Sequence, residues 1–153
     1  SKAPVSLIDL YATVLDLVSI KMPKHSPKHS KSLIESIKEP NLSRPIVSEF
    51  HDYGAQTGMF MLRYKDWKLI VYPGFRSQLF NLLKDPEEKH DYALEPIYSG
   101  TIDSLMKILC SVLDPKKVNI QAFQDQEEKI AELGGRESIL STQNFDHTPV
   151  KIK

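Results

Sequence analysis

Between Val5 and Ile20 the only polar residues are Ser6, Asp9, Thr13, Asp16 and Ser19. They recur every three or four positions. On a helix they therefore fall into one thin stripe, with apolar side chains around the rest of the circumference. Ser6 and Asp9 form an S-x-x-D start signal, so the pattern predicts a helix running from there through Ile20. A helix this apolar is normally buried on most sides, whereas a surface helix shows an apolar face covering about half its circumference. Nothing nearby in the sequence supplies that much partner surface. Residues 1–20 therefore read as the terminal helix of a core that the chain itself does not carry. The start Ser1-Lys2-Ala3-Pro4, without an initiating Met, reads as a cut.

The chain as a whole has ordinary globular composition, 41% hydrophobic and 26% charged over 153 residues, enough for one domain. The net charge is zero but unevenly spread. Residues 1–84 carry 12 basic against 7 acidic side chains, and residues 85–153 carry 8 against 13. A basic half can favour an anionic ligand, but solvated surface is the plainer reading, and no nucleic-acid partner is expected. No run of 18 apolar residues suggests a membrane span, and no leading apolar segment looks like a signal peptide. The single cysteine, Cys110, excludes an internal disulfide framework and leaves the compartment undecided.

Residues 21–44 read as a linker with one short helix, Ser32 to Lys38, ending before Pro40. The linker opens on the tandem Pro23-Lys24-His25-Ser26 and Pro27-Lys28-His29-Ser30. His25 and His29 have the spacing of helical metal ligands, but Pro27 between them disfavours a helix by about 3 kcal/mol. Asn41-Leu42-Ser43 is a glycosylation acceptor only in a secreted protein. Residues 45–135 change period. Ile46–Phe50, Met59–Tyr64, Trp67–Tyr72 and Gln78–Leu82 read as strands, and Asp85-Pro86-Glu87-Glu88 as a turn. With Lys65-Asp66 as the turn, Phe60, Leu62 and Tyr64 oppose Val71, Leu69 and Trp67, although the turn chemistry suggests a longer loop. Two helices follow. The first carries Ile102, Leu105, Leu109, Val112 and Leu113 on one face, with Cys110 beside them as a buried small hydrophobe. The second starts at Asp114-Pro115, carries Ile120, Phe123, Ile130 and Leu133, and ends at Gly134-Gly135. Residues 136–153 show no period and read as an extended tail, either pinned to a neighbouring surface, including that of a second copy, or disordered. The fold class is α/β: a small antiparallel sheet of about four strands packed by helices, with one further helix belonging to an absent core.

Chemistry is sparse. No nucleophile elbow, phosphate loop, dinucleotide fingerprint, zinc-protease motif or C-x-x-C pair occurs. One cluster stands apart, Glu49-Phe50-His51-Asp52-Tyr53-Gly54, at a strand end where ligand contacts concentrate. His51 can donate, accept or carry charge near neutral pH, and reads either as a ligand contact or as a capped loop histidine.

Ser48-Glu49-Phe50-His51, Thr57-Gly58-Met59-Phe60-Met61-Leu62-Arg63, Trp67-Lys68-Leu69-Ile70 and Gln78-Leu79-Phe80-Asn81-Leu82 with Asp85-Pro86-Glu87-Glu88 together resemble the C-terminal subdomain of sulfatases. Pro4–Leu17 looks like the helix preceding that subdomain. Gly134-Gly135-Arg136-Glu137 and the tail through Pro149 are similar to the choline-sulfatase-like and arylsulfatase K-like branch. Lys31 before Ser32-Leu33 departs from the family, where Gly is commoner, as does Asn81, where Asp is commoner. The resemblance implies an alkaline-phosphatase-like α/β core as the missing partner of the first helix. It also implies a formylglycine nucleophile from a C/S-x-P/A-x-R motif and a calcium ion held by Asp and Asn side chains. Neither motif is in this sequence, so both would lie upstream, and Cys110 does not match the nucleophile position. The implied role of this chain is substrate contact, with His51 facing the pocket and Tyr53 and Gln56 on the same wall. Arg63 and Lys68 are assigned to structure. The implied partners are the chain's own N-terminal catalytic domain and a small-molecule or carbohydrate sulfate ester. Two rivals stand beside this reading: a phosphate or phosphonate ester hydrolase of the same superfamily, and a non-enzymatic interaction module.

Overall fold

The computed structural model describes residues 3–39, 43–51 and 55–141. Two compact units divide the chain, Ser1–Pro115 and Lys116–Lys153.

In the first unit four strands, β1 (Ile46–Phe50), β2 (Met59–Tyr64), β3 (Trp67–Val71) and β4 (Gln78–Asn81), form an antiparallel meander in chain order. The alternation fixes two faces. Val47, Leu62, Leu69 and Leu79 lie across the sheet from one another, as do Phe60 and Val71. Phe60, Leu62, Leu69 and Leu79 are fully buried, each adding about 1.5–3 kcal/mol of apolar burial. Helix α3 (Ser99–Val112) packs on β2 and β3 and buries Leu105 and Leu109. Cys110 corrects the expectation of a buried thiol. It is exposed, because one residue after Leu109 is a turn of about 100° away from the packed face. The β2–β3 loop is the two-residue turn Lys65-Asp66 rather than a longer one, and Lys65 takes a φ of 54° to close it. The opposite face is less covered: Met59, Met61 and Ile70 are half-buried, and Phe50 and Ser48 are exposed.

At one end of the sheet Trp67 packs edge-on to Tyr92, with ring centroids 5.8 Å apart, and Tyr98 packs against both. These contacts fasten the 3₁₀ turns 92–94 and 96–98 that lead into α3. Lys68 binds Glu88 at 2.7 Å across the loop after β4, which accounts for it structurally. Asn81 is buried and its Oδ1 accepts the N–H groups of Leu83 (3.2 Å) and Lys84 (3.0 Å). An Asp carboxylate could accept the same two bonds, so the departure from the family pattern keeps the turn.

Helix α1 spans Asp9–Leu17, shorter than the predicted stretch at both ends. Ser6 lies outside it, because the Asp9 carboxylate accepts the Ser6 N–H at 2.7 Å and Leu7-Ile8 form a turn. At the other end Ser19 adopts a φ of 55°, and Ile20 N–H donates back to the Leu15 carbonyl at 2.8 Å, a Schellman-type stop. The polar stripe is the side that this chain covers. Asp9 is fully buried and pairs with the buried Arg44. Its Oδ1 accepts the Lys31 N–H at 3.0 Å. Thr13 Oγ1 accepts the Leu33 N–H at 2.9 Å, and Ser32 Oγ donates to Asp16 at 2.6 Å. Ser32 also caps α2 (Leu33–Lys38) by accepting the Ile34 N–H. The apolar side faces outward: Leu7 is 86% exposed and Leu17 68%, with Leu10, Tyr11, Val14 and Val18 also exposed. The helix is turned inside out relative to an ordinary surface helix.

Helix α4 runs from Pro115 to Glu132, all but its first residue in the second unit. It ends as predicted on Gly134, φ 85°, with Gly135 N–H donating to Ile130 O at 2.9 Å. Arg136–Ser141 then forms a short helix, α5, with Arg136 paired to Glu127, where the sequence suggested extended chain. Residues 142–153 of the expected tail lie outside the described residues, as does Asn41 of the glycosylation tripeptide. Among the described residues no helix is long and apolar enough to cross a membrane.

Candidate functional site

β1 is an edge strand, and His51 follows its last residue. Parity puts His51 on the same face as Val47 and Glu49. There its ring meets Phe60 edge-on, with centroids 5.4 Å apart, and its Nε2 lies 3.6 Å from Glu49 Oε2. The imidazole side chain remains one-third exposed, so it is oriented by a carboxylate and an aromatic ring yet open to a ligand. Gln56, from the β1–β2 loop, is exposed at the same end of the sheet. That loop is tied to the β3–β4 turn by Thr57 Oγ1, which donates to Pro73 O at 2.9 Å. Tyr53, the third residue expected on this wall, lies outside the described residues.

The neighbouring β3–β4 turn is built to be stiff. Tyr72 donates its hydroxyl to Gln78 Oε1 at 2.8 Å, and Phe75 N–H closes on Tyr72 O at 2.8 Å. Asp91 accepts the N–H groups of Leu79 and Ala93, each at 3.0 Å, and pairs with Arg76 at 2.7 Å. Burial alone would raise the Asp91 carboxyl. The Leu79 N–H, the Arg76 guanidinium and the Ala93 N–H together outweigh it and hold the carboxyl below the ordinary aspartate range.

Along β1 runs a cleft of about 190 Å³, bounded by Ser6 and Ile8, His29, Arg44, the strand from Ile46 to Glu49, and Val112 and Leu113. Pockets that enclose a whole ligand are usually about 300–1,000 Å³, so this one is a groove rather than a chamber. The sequence did not single out Arg44 or the groove. Arg44 could have been suspected only as a basic residue available to Asp9, an acid placed on an otherwise apolar helix.

Among the described residues no three His, Cys, Asp or Glu side chains stand together so as to hold a metal ion. Cys110 is not followed by the P/A-x-R spacing of a formylglycine precursor. The described residues therefore fit neither a calcium ion nor a formylglycine.

No protein-family model matches the chain. Arylsulfatase K of Bos taurus and of Homo sapiens are each 33% identical over 135 residues, 82% of this chain. The chain is related to sulfatases. It spans only about a quarter (25%) of the length of these curated relatives. A putative sulfatase from Bacteroides thetaiotaomicron superposes with a TM-score of 0.61 at 26% identity, covering 74% of this chain and 25% of that one. BT4656, solved with its substrate D-glucosamine-2-N,6-O-disulfate, superposes with a TM-score of 0.60 at 19% identity, over 72% and 24%. A phosphonate monoester hydrolase of Agrobacterium radiobacter shares the fold at a TM-score of 0.53 and 16% identity, over 68% and 24%. The resemblance to a sulfatase C-terminal portion fits the arylsulfatase K and sulfatase matches, and the four-stranded antiparallel sheet with helices is the fold expected from sequence.

Proposed function

We propose that this chain is the C-terminal subdomain of a hydrolase that cleaves sulfate esters, and that by itself it is catalytically inert. The observation that carries the reading is the inverted helix α1. Its hydrogen-bonding side is satisfied within this chain, while its apolar side, from Leu7 through Val18, is left open. An apolar face of that extent calls for a packed layer. An N-terminal catalytic domain of the sulfatase type would supply it, together with the formylglycine and calcium for which no residues fit here. The half-covered second face of the sheet, around Phe50, Met59 and Met61, supports the same arrangement.

Within the whole enzyme His51 contacts the substrate, with Gln56 and Tyr53 on the same wall. The bound structure of BT4656 makes a sulfated carbohydrate the substrate class of choice. The shared fold of a phosphonate monoester hydrolase favours one rival, a phosphorus ester hydrolase. The upstream coding sequence separates the two. A C/S-x-P/A-x-R motif is expected there, and a Thr or Ser outside such a motif would assign the phosphorus reaction instead. The purified chain is expected to show no turnover of an aryl sulfate with or without calcium. Sustained metal-dependent activity would overturn the proposal.

A further inference from the structure

The loop from Lys21 to Lys31 holds four lysines, two histidines and no acidic residue. Its sequence repeat becomes a structural repeat. Pro23–Ser26 and Pro27–Ser30 fold as successive turns, each closed by its serine N–H donating to its proline carbonyl, at 3.1 and 3.0 Å. Lys24 and Lys28 thus occupy equivalent positions, as do His25 and His29, and all four are exposed, as are Lys21 and Lys31. Among the described residues none of the four lysines is paired with a carboxylate. The loop is also fastened. Ser30 Oγ donates to Ile8 O at 2.6 Å, Asp9 accepts the Lys31 N–H, and Arg44 donates to His29 O at 3.0 Å. A mere spacer needs no such ties. Here they hold the backbone at the end of the second turn before any ligand arrives, which lowers the ordering cost of binding.

The loop reaches the groove through His29. His29 lines one side, β1 forms the other as far as Glu49, and Glu49 neighbours His51. His29, bonded through its carbonyl to Arg44, sits beside the start of β1 and His51 follows the strand's end, so a long ligand lying along β1 would span both. We infer that the tandem turns are a docking surface for a sulfated polysaccharide, holding anionic groups distant from the ester presented at His51. The link to His51 rests on the sulfate-ester reading above, whereas the charge array does not. A single-stranded nucleic acid is disfavoured because the loop offers no Phe, Tyr or Trp on which bases could stack.

The test uses the full-length protein containing this chain, in two variants of equal charge change: Lys24→Glu with Lys28→Glu, and Lys65→Glu with Lys84→Glu at exposed sites elsewhere. On immobilised heparin the first variant is expected to elute at clearly lower salt than the parent protein, and the second at nearly the same salt. For an oligomeric sulfated substrate the first variant raises KM by about tenfold or more with kcat unchanged, and leaves both constants unchanged for a small aryl sulfate. Equal loss of heparin retention in both variants, or displacement of heparin by duplex DNA as effective as by heparin itself, would show diffuse charge attraction and overturn the docking surface. If retention depends on Lys24 and Lys28 but no sulfate ester is turned over by the parent protein, the surface stands and the reaction assigned to the parent falls.

Discussion

Replacing Arg44 with methionine tests whether α1 is held by its polar stripe. Methionine keeps much of the side chain's length and removes the guanidinium bonds to Asp9, to His29 O at 3.0 Å and to Pro4 O at 3.4 Å. The side chains of Arg44 and Asp9 are 10% and 0% exposed, so water cannot replace the lost partner without opening the site. Breaking a buried pair from one side costs about 3–5 kcal/mol, because the remaining charge stays desolvated. Asp9 retains the N–H groups of Ser6 at 2.7 Å and Lys31 at 3.0 Å, which places the expected cost near the lower end, about 3 kcal/mol. With a urea m-value of about 1–3 kcal/mol/M, the unfolding midpoint falls by roughly 1–3 M. The single tryptophan, Trp67, lies in the same unit and reports the transition by fluorescence. Adding Asp9→Asn to Arg44→Met removes the stranded charge and is expected to recover part of the loss, a coupling visible in a double-mutant cycle. A cost below about 1 kcal/mol for Arg44→Met, at unchanged m-value, would refute the reasoning. The ion pair would then be incidental to how α1 is seated.

In the full-length enzyme, His51→Ala removes one ligand hydrogen bond worth about 0.5–1.5 kcal/mol, so KM for a sulfate ester rises roughly 2- to 10-fold while kcat changes little. Unchanged kinetics across several sulfate esters would take His51 out of the site. Asp91 carries the pH dependence. Its carboxyl is held below its unfolded value, so the stability it contributes is present above about pH 4 and lost as pH falls through the lower folded value. Asp91→Asn is therefore expected to lower the melting temperature at pH 7 and to narrow the gap from the parent protein at pH 3. A gap equally wide at both pH values would show that the ionised carboxylate is not what ties β4 to the following turn.

What could be read from the sequence was what local rules determine. The pairing of Phe60, Leu62 and Tyr64 with Val71, Leu69 and Trp67 follows from a period of two and a two-residue turn, both contained within a dozen positions. The Gly134 stop of α4 is equally local. Apolar character alone places Cys110 in the core, and the helical angle separating it from Leu109 turns it outward. The partner of Asp9 was out of reach for another reason: Arg44 comes 35 positions later, and the N–H groups of Lys31 and Leu33 become donors to α1 only after two turns have folded the chain back. His51 was legible as a strand-end histidine, whereas on the proposed reading what it faces is set by the catalytic domain. The orientation of α1 joins these observations. A helix stabilised within its own domain by apolar burial leaves its polar stripe wet, and α1 does the reverse. The hydrogen bonds come from this chain, and the hydrophobic burial is left to another layer. Here α1 is seated by the Asp9 network and not by apolar area, so the Arg44 substitution should loosen α1 in the isolated chain more than in the full-length enzyme, where a catalytic domain would also hold its apolar face.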